Sequence, residues 1–108
     1  MTVNDLLLNE NFSVVTLPDA EREISDVYIG DLLSWVMGRA KSDDAWITIM
    51  SNVNILAVAT LADTSCIILA EGVTVDESIK ATAETKGVNI LSTQLSAYEA
   101  AVALNDML

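Results

Sequence analysis

AWITIMSNVNILAVATLADTSCIILAEG, residues 45–72, decides the fold. From Ala45 to Ala70 its only charged residue is Asp63, and the run exceeds the roughly 20 apolar residues that span a bilayer as one helix. Its texture argues against insertion. Ala45–Met50 is short and β-branched, and Ser51-Asn52-Val53-Asn54 breaks it. Ile55–Ala62 is richer in helix formers, and Ser65–Ala70 is β-branched again. The reading is strand, helix, strand. Neither strand alternates apolar with polar residues, as expected of parallel strands covered on both faces.

Working outward, the same alternation continues. Thr2 is expected to cap a short helix through Asn9, with Asp5 in its first turn. Phe12–Leu17 and Ile24–Ile29 read as strands, separated by a charged loop holding Pro18-Asp19 and Glu21-Arg22-Glu23. After Gly30-Asp31 the spacing predicts a helix over 32–40 with Leu32, Leu33, Val36, Met37 and Ala40 as its apolar stripe. Lys41–Asp44 is a turn. Val75–Lys86 reads as a helix stopped by Gly87, Val88–Leu91 as the last strand, and Leu95 to about Met107 as the final helix. Short crossovers of this kind predict an α/β sandwich of two or three layers, with a mainly parallel sheet of about four or five strands flanked by helices.

Composition bounds the function. The 108 residues, 52% hydrophobic, make one domain, 1–108. Sixteen acidic against five basic residues give a net charge of −11, which repels nucleic acid and anionic lipid. No nucleic-acid or membrane partner is expected. A single cysteine, Cys66, fits a reducing compartment and reads as a small core residue. The amino terminus has an acid where a secretory signal needs basic residues, so the cytoplasm is the expected location.

Catalysis has little to stand on. The glycines, at 30, 38, 72 and 87, are isolated, so no phosphate cradle exists, and there is no histidine. The acid pairs Asp43-Asp44 and Asp76-Glu77 read as a solvated turn and a helix cap. Neither an enzyme nor a bound metal or cofactor is expected.

Loops leaving the carboxyl ends of parallel strands gather on one edge, where small ligands sit. Here Ser51, Asn52 and Asn54 are expected to line such a site, with Gly30-Asp31 and Thr93-Gln94 as neighbouring walls. No Lys or Arg lies in these loops, so a neutral or singly charged polar ligand, or a base-and-ribose contact, is favoured over a triphosphate grip. The competing reading makes Asn52 or Asn54 a helix cap and nothing more. Apolar residues beyond one core's needs predict a homodimer, with Trp35, Tyr98, Val102 and Leu104 at the interface.

The ordered segments DVYIGDLLSWVMGRAKSDDAWITI (26–49), NVNILAVATLADTSCIILAEG (52–72) and GVNILSTQLSAYEAA (87–101) resemble the DRTGG-domain family over nearly the whole chain. The resemblance implies a compact domain like the amino-terminal domain of HPr kinase/phosphorylase, found also beside CBS modules in regulated pyrophosphatases, in some phosphotransacetylases, and as stand-alone proteins. It implies a non-catalytic regulatory or ligand-sensing role, a tendency to dimerise, and a protein partner of unknown identity. The Asp-Arg-Thr-Gly-Gly string itself is absent, and Ser51-Asn52-Val53-Asn54 occupies its place. A purely structural dimerisation module is the alternative, and an enzyme of unknown reaction a distant third.

Overall fold

A computed structural model describes residues 1–108. Thr2 opens helix α1 (Val3–Leu6) with a reciprocal cap, its hydroxyl accepting from the Asp5 N–H at 3.1 Å while the Asp5 carboxylate accepts from the Thr2 N–H at 2.9 Å. The helix ends earlier than expected, at one turn, and the Asn9 side chain accepts from the Asn11 N–H to shape the bend into strand β1 (Phe12–Thr16). Then follow β2 (Asp26–Ile29), α2 (Leu33–Arg39), β3 (Asp44–Thr48), α3 (Asn54–Ala62), β4 (Cys66–Leu69), α4 (Glu77–Lys86), β5 (Ile90–Thr93) and α5 (Ala97–Met107). Ile24 lies outside β2 because its N–H donates to the Met1 carbonyl at 2.7 Å. No helix is long and apolar enough to cross a membrane.

The five strands form one sheet in the order β1-β5-β4-β3-β2. β2, β3, β4 and β5 run parallel, joined by α2, α3 and α4, because parallel neighbours need a crossover. β1 pairs antiparallel with β5, Phe12 opposite Thr93.

Alternate strand residues build a core on each face, giving three layers. Trp46, Ile67, Leu69 and Ile90 pack under α2, α3 and α4, whereas Ala45, Ile47, Cys66, Ile68 and Leu91 pack under α1 and α5. Burial pushes the Cys66 thiol up to about 12. Two expectations need correction. In α2 only Val36 is fully buried, while Leu32 and Met37 of the anticipated stripe are exposed. Leu104 and Ala100 of α5 are fully buried in the second core, so Leu104 belongs to the folded chain itself and not to a contact with another copy.

Candidate functional site

At the carboxyl edge, the turn after β2 is tied to β3 from inside. The Trp46 indole N–H donates to the Gly30 carbonyl at 2.9 Å, and the Gly30 N–H donates to Ile47 O at 3.2 Å. Asp31 Oδ1 accepts from the Thr48 hydroxyl at 2.8 Å and the Ile49 N–H at 3.0 Å, so one carboxylate oxygen fixes the end of β3 while Oδ2 has no protein partner. The Thr48 hydroxyl in turn accepts from the Met50 N–H at 3.1 Å.

Past this tie, Ser51, Asn52, Val53 and Asn54 are exposed. Asn52 Oδ1 accepts from the Asn54 N–H at 2.9 Å, which makes Asn52 the side-chain cap of α3. The Asn54 amide and the Ser51 hydroxyl make no hydrogen bond within the chain, and neither do the backbone N–H groups of Ser51, Asn52 and Val53. These donors sit at the positive end of the α3 dipole.

Two further loops are stapled to each other. Glu71 N–H donates to Leu95 O and Gly72 N–H to Thr93 O, each at 2.9 Å. Gly72 has φ +71°, a backbone conformation that favours glycine, and lies under Gln94, whose amide end stands 2.7 Å from where a Cβ would be and would have to swing aside for any other residue. Thr93 is buried, its hydroxyl accepting from the Leu95 N–H at 3.1 Å. The structure thus places Gly30, Asp31, Ser51, Asn52 and Asn54 on two loops joined by Asp31, whereas Gln94 packs on Gly72 and Thr93 is turned into the fold. Around these residues the edge is an open surface: no cavity is lined by Gly30, Asp31, Ser51, Asn52 or Asn54, and the one that touches this edge lies along the loop after β4, at Val73, Thr74 and Val75.

Trp35 and Tyr98 also part company. Both are exposed, but α2 covers one face of the sheet and α5, with Tyr98 and Val102, the other.

Sequence reading missed the arrangement at the opposite, amino edge. Arg22 leaves its loop to meet Asp43 Oδ1 and Asp63 Oδ1, at 2.9 and 3.0 Å, and donates to the Asp63 carbonyl at 2.8 Å. Both aspartates have positive φ, 69° and 60°. This brace borders a polar cavity of about 150 Å³ that Lys86 and Asn89 also line. Hydrogen bonds from the Ser42 hydroxyl and Arg22 hold the Asp63 carboxyl below the usual carboxylate range. A depressed folded value contributes stability above the ordinary aspartate range that is lost as pH falls through the folded value. Arg22→Met is therefore expected to cost about 1–2 kcal/mol at neutral pH, discounted for the exposure of Asp63, and the deficit should shrink below about pH 4. Urea melts of both proteins across that range check it; a constant deficit would refute the charge origin. Of the paired acids, Asp44 accepts from the Lys41 N–H at 2.8 Å, and Asp76 caps α4 through the Ile79 N–H at 3.0 Å.

A family model described as the DRTGG domain matches residues 13–107. Among solved structures, the chain is similar to the crystal structure of the CBS and DRTGG domains of the regulatory region of Clostridium perfringens pyrophosphatase complexed with activator, diadenosine tetraphosphate. The TM-score is 0.73 at 13% identity, over 95% of this chain and 45% of that one, so the chain spans less than half of that structure. At this identity the likeness establishes a shared fold. No curated protein gives a significant match.

Proposed function

Because the chain belongs to the DRTGG-domain family, matched over residues 13–107, we propose that it is a regulatory, ligand-sensing domain without catalysis of its own. In this reading it works in the cytoplasm as a pair of identical copies and signals through a partner protein. In the pyrophosphatase the DRTGG domain lies in a regulatory region crystallised with an activator, diadenosine tetraphosphate. The observation that carries the reading here is the carboxyl edge: a helix start with unpaired N–H groups, a spare amide on Asn54, a spare hydroxyl on Ser51, and no Lys or Arg in these loops. Such a surface suits a ligand that both donates and accepts hydrogen bonds and carries little charge, such as the base and ribose of a nucleotide.

Thermal-shift screening with adenosine, AMP, ATP, diadenosine compounds and acyl phosphates tests it. A ligand at 100 times its Kd adds about 2.7 kcal/mol and raises the Tm visibly. Ser51→Ala and Asn54→Ala are expected to remove that shift while leaving the unliganded Tm nearly unchanged. Asn52→Ala is expected to cost about 1 kcal/mol in the unliganded protein, because it deletes the α3 cap. A ligand whose affinity survives both Ser51→Ala and Asn54→Ala binds elsewhere. No shift with any compound leaves the alternative, a structural dimerisation module, which the exposed face of α2 favours.

A further inference from the structure

The sharpest unexplained feature outside the carboxyl edge is the outward face of α2. Val36 is buried and Leu33 and Ala40 half-buried, which fixes the rotation of the helix. At about 100° per residue, Gly38 then stands at the centre of the solvent side with Ser34 and Trp35 beside it. Trp35 is 53% exposed, with exposed Leu32 beside it, and Met37 is exposed on the other side of the helix. A Cβ on Gly38 would meet nothing within 4 Å. The chain therefore has no internal use for glycine there, although glycine in an exposed helix interior weakens the helix relative to alanine. Arg39 lies over the Trp35 ring at 3.7 Å and steadies the indole from one side.

We propose that a second copy of this chain docks here, the two α2 helices running antiparallel about a two-fold axis, with Trp35 of each laid over Gly38 of the other. The proposal rests on the paired state in the functional reading above and adds its surface. Charge selects the occupant. Residues 27–42 carry one acid, Asp31, and two cations, Arg39 and Lys41, in a chain with 16 acids and five bases. None of the three has a salt-bridge partner within the chain. The acid sits before the start of α2 and the cations at its end, so an antiparallel pair brings opposite signs together at both ends. The other exposed apolar helix face lacks this: Tyr98 is 76% exposed on α5, but that helix carries Glu99 and Asp106 and no cation, so self-pairing would oppose like charges.

Sedimentation and light scattering of the full chain over a dilution series, without ligand, test the surface independently of the ligand screen. The wild type is expected as a dimer at high micromolar concentration, with Trp35 emission shifting to the red on dilution while fully buried Trp46 stays constant. Gly38→Leu is expected to give a monomer whose Tm exceeds that of the dilute wild type, because the new side chain occupies the partner's place and helps the helix. Trp35→Ala should also be monomeric, and Tyr98→Ala should dimerise like the wild type. A dimer that survives both α2 substitutions overturns this surface while leaving the functional reading standing. A wild type that stays monomeric overturns both the surface and the paired state.

Discussion

Trp46→Ala is expected to lower stability by about 3–5 kcal/mol, the range for truncating a large core aromatic, and the Tm by roughly 15 °C or more. Trp46 is the largest fully buried side chain, lying in the core under α2, α3 and α4. No neighbour can collapse into the space, since β3 is paired on both sides by β2 and β4. The substitution also releases the Gly30 carbonyl, held by the indole N–H at 2.9 Å. Trp46→Phe separates the two contributions: it keeps most of the packing and loses the bond, about 1 kcal/mol for the bond itself, with a larger share of the disturbance at the turn before α2. Equilibrium denaturation followed by circular dichroism measures both, and a cost below about 1 kcal/mol for Trp46→Ala would contradict the packing described.

Asn89→Ala comes next, at about 2–4 kcal/mol. Asn89 is buried, and its amide serves three backbone groups at once: it accepts from the Asp19 N–H at 2.9 Å and donates to Asp19 O at 2.7 Å and Ser65 O at 3.0 Å. Alanine would leave all three short of their protein partner, the Ser65 carbonyl in a buried position and the two Asp19 groups in part-buried ones. Asn89→Asp offers a sharper reading of the same geometry. A carboxylate can accept from Asp19 but cannot donate to either carbonyl, so the charged form is disfavoured and its pKa should rise. Its penalty relative to Asn89→Ala should then be largest at neutral pH and fall as the group protonates. Urea midpoints at neutral and mildly acidic pH decide the point; a penalty that does not vary with pH would mean the side chain escapes to solvent.

Local physics was legible from residues 45–72 because strand and helix segments there differ in composition and are bounded by polar breaks. Caps were legible for the same reason: Thr2, Gly87 and Asn52 act within a few residues of themselves. The antiparallel placement of β1 was not, since its partner β5 lies at the far end of the chain. The rotation of α2 escaped because Leu32, Leu33, Trp35, Val36 and Met37 make nearly every side of it apolar, and periodicity alone cannot say which side the sheet covers. Leu104 was misplaced for the related reason that α5 has two apolar sides. Arg22 and Asn89 were invisible as anchors because the Asp43 and Asp63 contacts of Arg22 span 21 and 41 residues, and those of Asn89 to Asp19 span 70.

The position of Cys66 has a practical use. A thiol whose ionisation is pushed up to about 12 and which lies sealed between the sheet and α5 carries almost no thiolate at neutral pH. Alkylating reagents can reach it only when the molecule opens. Its labelling rate is therefore a clock for unfolding, readable by mass alone, and a cysteine introduced on any exposed helix can be derivatised first while the native one stays silent.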